Sequence, residues 1–117
     1  MFQNSLIYKI CRRTEFETAD RTGIFTGSPD DKRDGFIHFS KKDQLAGTLE
    51  KHFSGETDLV LLGVRVDSLG SELKWETSRG GEVFPHLYNH LDMSLVREKR
   101  DIGFDGDTHQ LGEGFSS

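Results

Sequence analysis

Residues 58–66 read "DLVLLGVRV", and the first half of that run is apolar at odd and even positions alike. A strand with one wet face alternates apolar with polar, so a run without alternation belongs to a strand covered on both sides. This segment is therefore expected to lie centrally in a sheet, and the rest of the chain is read as what surrounds it.

Upstream, "SLIYKIC" (5–11) is rich in β-branched and aromatic residues and reads as a first strand. "TEFETADRTG" (14–23) follows as a short helix, with Thr14 and Glu17 spaced as a capping box and Gly23 placed to close it. Residues 26–35, "TGSPDDKRDG", carry the Gly, Ser, Pro and Asp density of a surface loop. "FIHFS" (36–40) reads as a second strand. From Lys41 to Phe53 the apolar residues Leu45, Leu49 and Phe53 form one stripe of an amphipathic helix, with Ser40 as N-cap and Gly55 as its stop.

Downstream, "ELKWET" (72–77) and "EVFPHLY" (82–88) read as two strands separated by "SRGG". Pro85 cannot donate to a ladder, which predicts an edge strand or a bulge. "SLVREKRDI" (94–102) is ambiguous, and the Gly-rich stretch 103–117 is expected to be a tail that is loosely held or extended along the surface. Two helices in the N-terminal half followed by a run of strands predict α+β, as one domain over 1–117 with its core in about 5–100.

A chain of 117 residues is long enough to bury about two thirds of its unfolded surface. Charged residues reach 30% and hydrophobic ones only 33%, yet nine Phe and one Trp suffice for a core. A net charge of −5 with pI near 5.5 argues against a protein that tracks a phosphate backbone. Lone Cys11 permits no internal disulfide and fits a reducing compartment. No apolar run approaches the roughly 20 residues that span a bilayer, and the first residues lack a targeting pattern. A soluble, cytoplasmic monomer is expected.

The candidate chemistry starts at "DGFIHFS" (34–40). Strand alternation puts Phe36, His38 and Ser40 on one face. A helix starting after Ser40 would bring free N–H groups beside His38, a place for an anion such as phosphate. Lys41 and Lys42 oppose the helix dipole there at about 0.3–1 kcal/mol each, a penalty that a bound anion would reverse. The plainer alternative is a histidine on the wet side of a sheet. "FPHLY" repeats the pattern, since Phe84, His86 and Tyr88 share a face that lines a cleft or packs on a helix. Glu82, after "RGG", is a lone carboxylate with either an acid–base role or none.

Other motifs point elsewhere. His86 and His90 have a helical metal spacing, but their segment reads as strand and turn, with no HExxH or paired cysteine, so no metal site is expected. Cys11 reads as a small buried hydrophobe, His52 as a favourable charge at a helix end, and Trp75 as a core anchor.

The segments "LIYKICRRTEF", "DGFIHFS", "DLVLLGVRVDSLGSELKWE" and "GGEVFPHLYNHL", in this order, resemble the domain of unknown function 952 family over roughly residues 5–97. That family implies a fold rather than a reaction. It looks in turn like a compact relative of the ADP-ribosyltransferase fold, a split β-sheet that clamps NAD. In that fold the first strand carries a histidine that contacts ribose, and Lys9 stands in its place, where it could pair with a pyrophosphate oxygen. "IHFS" is similar to the Val-His-Leu-Ser run of the RNA 2′-phosphotransferase branch, which places His38 at the second position with Ser40 beside it. Glu82 is the match by position for the third-strand glutamate that steadies the oxocarbenium-like ribose.

The resemblance thus implies catalytic roles for His38 and Glu82, and ligand contacts from Lys9, Ser40, His86 and Tyr88. NAD or an ADP-ribosyl compound would be the substrate, with no cofactor firmly implied. The alternative is a binding module for an anionic, nucleotide-like metabolite or a protein partner, without turnover.

Overall fold

The computed structural model describes residues 5–112, the side chain of Arg79 excepted. Its strands are β1 (Leu6–Arg12), β2 (Ile24–Phe25), β3 (Ile37–His38), β4 (Leu59–Arg65), β5 (Leu73–Thr77), β6 (Val83–Leu87), β7 (Leu91–Asp92), β8 (Val96–Phe104) and β9 (His109–Gln110). The helices are α1 (Arg13–Thr22), α2 (Pro29–Asp34) and α3 (Leu45–His52), joined by short 3-10 turns. All pairings are antiparallel, in sheets ordered β1-β4-β8-β9, β2-β7 and β3-β6-β5. The architecture is α+β, with curled antiparallel sheets and few helices.

As its apolar run predicts, β4 is central, between β1 and β8. Val60, Leu62 and Val64 point into one cluster with Ile7, Phe25 and Leu91. Leu59 and Leu61 point the other way, onto Leu45 and Leu49 of α3. Each face of β4 thus has its own core, which is why the run does not alternate. Gly63 interrupts it because the Tyr8 ring crosses that point: a Cβ on Gly63 would lie 3.1 Å from both a Tyr8 ring carbon and the Cβ of Glu98.

Several expectations need correction. The helix expected from Thr14 starts at Arg13, and its first turn is closed by Glu15, whose carboxylate accepts the Arg12 N–H at 2.8 Å. The segment expected to be a loop contains α2, so the described residues of the N-terminal half hold three helices, not two. Ser40 is not a helix cap: its backbone exchanges hydrogen bonds of 2.8 and 2.9 Å with Tyr8, bridging β1 to the end of β3. A 3-10 turn over Lys42–Gln44 follows, and α3 begins only at Leu45, so no helix N-terminus lies beside His38.

Pro85 is on the middle strand of its sheet, not an edge. Its carbonyl accepts the Phe39 N–H at 3.0 Å, but its missing N–H cannot complete that rung. There β3 stops and the chain turns to pair with β1.

"VREKRDI" belongs to β8. Its half-buried face carries Glu98 and Arg100 between Val96 and Ile102, an ion pair at 3.2 Å that disguises the alternation. Residues 103–112 are no loose tail: Phe104 pairs with His109, and the His109 ring bonds the Glu56 carbonyl at 2.8 Å. The last five residues, 113–117, lie outside the described part. Trp75 is 41% exposed and anchors no core.

Candidate functional site

The site starts from α2. Ser28 caps it, its Oγ accepting the Asp31 N–H at 3.2 Å while Asp31 Oδ2 accepts the Ser28 N–H at 2.9 Å. Pro29 supplies the preset φ of the first turn, and Gly35 closes the helix at φ 88°, a left-handed conformation that suits glycine. This double capping fixes the third helical residue, Asp31, pointing inward and only 2% exposed.

Asp31 is the hub. Lys9 Nζ, itself buried on β1, lies 3.1 Å from Oδ1 and 2.8 Å from Oδ2. Oδ1 also accepts the His38 backbone N–H at 3.1 Å and meets His38 Nδ1 at 2.6 Å. Burial alone would push this carboxyl up, but the His38 hydrogen bond and the Lys9 charge outweigh it and hold Asp31 well below the usual carboxylate range. The other ring nitrogen, His38 Nε2, faces Asp34 Oδ2 at 3.0 Å. A ring carrying a proton on each nitrogen donates to both carboxylates. Asp34 is more exposed, and a hydrogen bond from Arg33 leads the effects that lower its carboxyl.

A second cluster sits on β6 and β5. Buried His86 meets Glu76 Oε1 through Nδ1 at 2.7 Å, and the Tyr88 hydroxyl donates to the same oxygen at 2.8 Å. The His86 hydrogen bond lowers the Glu76 carboxyl, and the bond to Glu76 raises the Tyr88 phenol. Cross-strand pairing sets His86 opposite His38. Phe36 joins the clusters, stacked on His86 with centroids 4.1 Å apart and 4.6 Å from the His38 ring.

Between these groups lies a cleft of about 230 Å³. Lys9, His38, Ser40 and His86 line it, with Asp31, Asp34, Arg33, Phe84 and His52. Ser40 Oγ is held by Thr48 Oγ1 at 3.0 Å. Two expected residues fall outside. Tyr88 lines a neighbouring hollow with Asn89 and His90. Glu82 is exposed, at 3.3 Å from the Gln44 amide, and is not among the cleft's residues. The sequence reading missed Asp31, Asp34 and Glu76. The signal for Asp31 was present in "SPDD", a Ser with an acidic residue three positions on and Pro between them.

The features define an α+β protein in which two cross-strand histidines, each held by a carboxylate, stand side by side on one sheet face and line a cleft. The chain belongs to the family described as "Protein of unknown function (DUF952)", whose profile matches residues 10–99. It is similar to the crystal structure of protein CC0527 from Caulobacter crescentus, with TM-score 0.88 and 47% identity over 93% of this chain and 96% of that one. The solution structure of CC0527 gives TM-score 0.81 and 46% identity over 95% of this chain and 93% of that one. No functionally curated protein matches the chain.

Proposed function

We propose that this chain binds a small anionic, nucleotide-like ligand of the ADP-ribosyl type in the cleft, and that it does so without turnover. The observation that carries the reading is the setting of the His38 ring. Asp31 locks Nδ1 from behind, while Nε2 faces the cleft beside Asp34, a partly exposed carboxylate. A ligand phosphate or ribose oxygen that displaced Asp34 would leave His38 satisfied and free Arg33, now tied to Asp34 and Asp30, to meet the same anion. Size restricts the ligand. A 230 Å³ cleft falls below the roughly 300–1,000 Å³ of sites that enclose a drug-sized molecule, so it suits one nucleoside phosphate portion rather than a whole dinucleotide.

Two features favour binding over transfer. Lys9, whose charge was expected to meet a pyrophosphate, is neutralised by Asp31. No glutamate lines the cleft among the described residues, and a carboxylate away from the ribose cannot stabilise positive charge developing there. One observation favours the ADP-ribosyltransferase-like reading instead: the Tyr8–Ser40 bridge sets β1 and β3 side by side, so that Lys9 and His38 share one carboxylate.

The test is an NMR titration with ADP-ribose and with NAD, following amides 36–42 and 82–88, alongside an assay for released nicotinamide. Shifts in both segments, lost in His38→Ala, strengthened in Asp34→Asn and unaccompanied by nicotinamide, are expected. Silence at millimolar ligand overturns the binding site. Nicotinamide release that disappears in Glu82→Gln replaces binding with transfer.

A further inference from the structure

Strand β5 is the outer strand of the β3-β6-β5 sheet, and its alternation decides which backbone groups face outward. The Tyr88 N–H donates to the Glu72 carbonyl at 2.9 Å and the Ser78 N–H to the Glu82 carbonyl at 2.7 Å, so even-numbered residues of this stretch face β6. Leu73, Trp75 and Thr77 therefore turn their N–H and C=O groups away from the sheet. The Leu73 N–H is taken by the Gly70 carbonyl. Among the described residues, no hydrogen bond occupies the outward groups of Trp75, the Thr77 N–H or the Leu73 carbonyl. Among the described residues this edge carries no proline or bulge, its one lysine is Lys74, and Trp75 and Val83 are 41% and 40% exposed on one face of the sheet.

We infer that β5 pairs antiparallel with β5 of a second copy of this chain, about a two-fold axis at Trp75, against the monomer expected from the sequence. The charges select both partner and register. With Trp75 opposite Trp75, each Lys74 stands opposite a Glu76 of the other copy, in a non-hydrogen-bonded pair where side chains are closest. A slip of two residues one way sets Lys74 against Lys74 and Glu72 against Glu76; the other way sets Glu76 against Glu76. A slip of one turns every side chain to the wrong face. The strand is thus complementary to itself in one register.

In that register the Trp75 residues exchange both backbone hydrogen bonds, and each Thr77 N–H reaches the Leu73 carbonyl across the axis. The two indoles meet on the face that carries Val83. On the opposite face each Lys74 arrives beside Glu76, the carboxylate that holds His86 and Tyr88, so assembly adds a cation next to that cluster.

Sedimentation equilibrium over a range of concentrations tests the pairing. The native chain is expected to show a monomer–dimer equilibrium. Lys74→Glu turns two attractive cross-strand contacts into repulsive ones and weakens the dimer about tenfold or more. Thr77→Pro removes an outward donor without touching the β5–β6 ladder and has the same effect. An equimolar mixture of Lys74→Glu and Glu76→Lys chains makes every 74–76 contact opposite in charge again, and restores the dimer. If Glu76→Lys fails to fold, Lys74→Glu and Thr77→Pro decide alone. A native chain that stays monomeric at millimolar concentration, leaving the edge to an extended peptide, overturns the inference. So does a dimer that both single variants leave intact, or a folded mixture that does not reassociate.

Discussion

Replacing Asp31 by Asn tests the hub directly. The shape is kept, but the charge that faces Lys9, at 4% exposure, is lost, and an amide N–H₂ is set against donors that previously met a carboxylate. Removing one partner of a buried ion pair leaves the other uncompensated, at about 3–5 kcal/mol, out of a typical total of about 5–15 kcal/mol. At roughly 4 °C per kcal/mol for a chain of this size, the midpoint of thermal unfolding should fall by about 12–20 °C. The companion variant Lys9→Met with Asp31→Asn removes both charges and should recover most of that loss. Circular dichroism with urea and heat measures both.

The same substitution has a pH signature. The folded Asp31 carboxyl is held below its unfolded value because the His38 hydrogen bond and the Lys9 charge overcome burial. Its contribution is complete above the unfolded value near about 4 and is lost as the pH falls below it. The gap between native and Asp31→Asn chains should therefore be widest at neutral pH and close in acid. A variant within about 1 kcal/mol of the native chain at neutral pH, or a gap that acid leaves unchanged, refutes the assignment of Asp31 as counter-ion.

Two further outcomes test the fold. Gly63→Ala forces a methyl to within 3.1 Å of the Tyr8 ring and Glu98 between paired strands, and should cost about 1–3 kcal/mol in urea unfolding, whereas Gly47→Ala, in α3 with nothing within 4 Å, should gain roughly 0.5–1 kcal/mol; equal effects would sink the close-approach argument. Burial pushes the Cys11 thiol up to about 12, so an aromatic disulfide reagent at mildly alkaline pH should label the chain only in denaturant, and rapid stoichiometric labelling of the native protein would contradict its place in the core.

The elements that could be read from the sequence are those whose reasons are local. The unbroken run at β4 announced two covered faces, and the stripe of Leu45 and Leu49 announced the buried side of α3. Where a reason is non-local, reading along the chain failed. "VREKRDI" hides a strand because its half-buried face is charged, and that becomes intelligible only once Glu98 and Arg100 are seen paired. "SPDD" was read by its loop-forming composition, while the same residues satisfy a capping box; reciprocal side-chain caps outweighed composition. Pro85 misled for a geometric reason: the rule that excludes proline from inner strands forbids only a rung its N–H must make, and β3 ends where that rung would fall.

The site divides in the same way. Strand alternation sufficed to bring His38 and His86 to one cleft, because pairing β3 with β6 in register makes them neighbours. It could not say what holds them. The carboxylates that do so, Asp31 and Glu76, come from a helix seven positions before His38 and a strand ten before His86. Lys9 shows what position alone leaves out. A lysine on the first strand invites pairing with a phosphate, but 22 residues on in sequence lies an aspartate that the fold carries to 2.8 Å. On the proposed reading that pair occupies the Lys9 charge, and an anion would be met by groups whose present partners are more exposed: His38 through Asp34, and Arg33 through Asp30 and Asp34. A surface carboxylate is worth about 0–1 kcal/mol to its partner, less than a charge-assisted bidentate phosphate contact, so on that reading a ligand phosphate would displace Asp34 at a net gain.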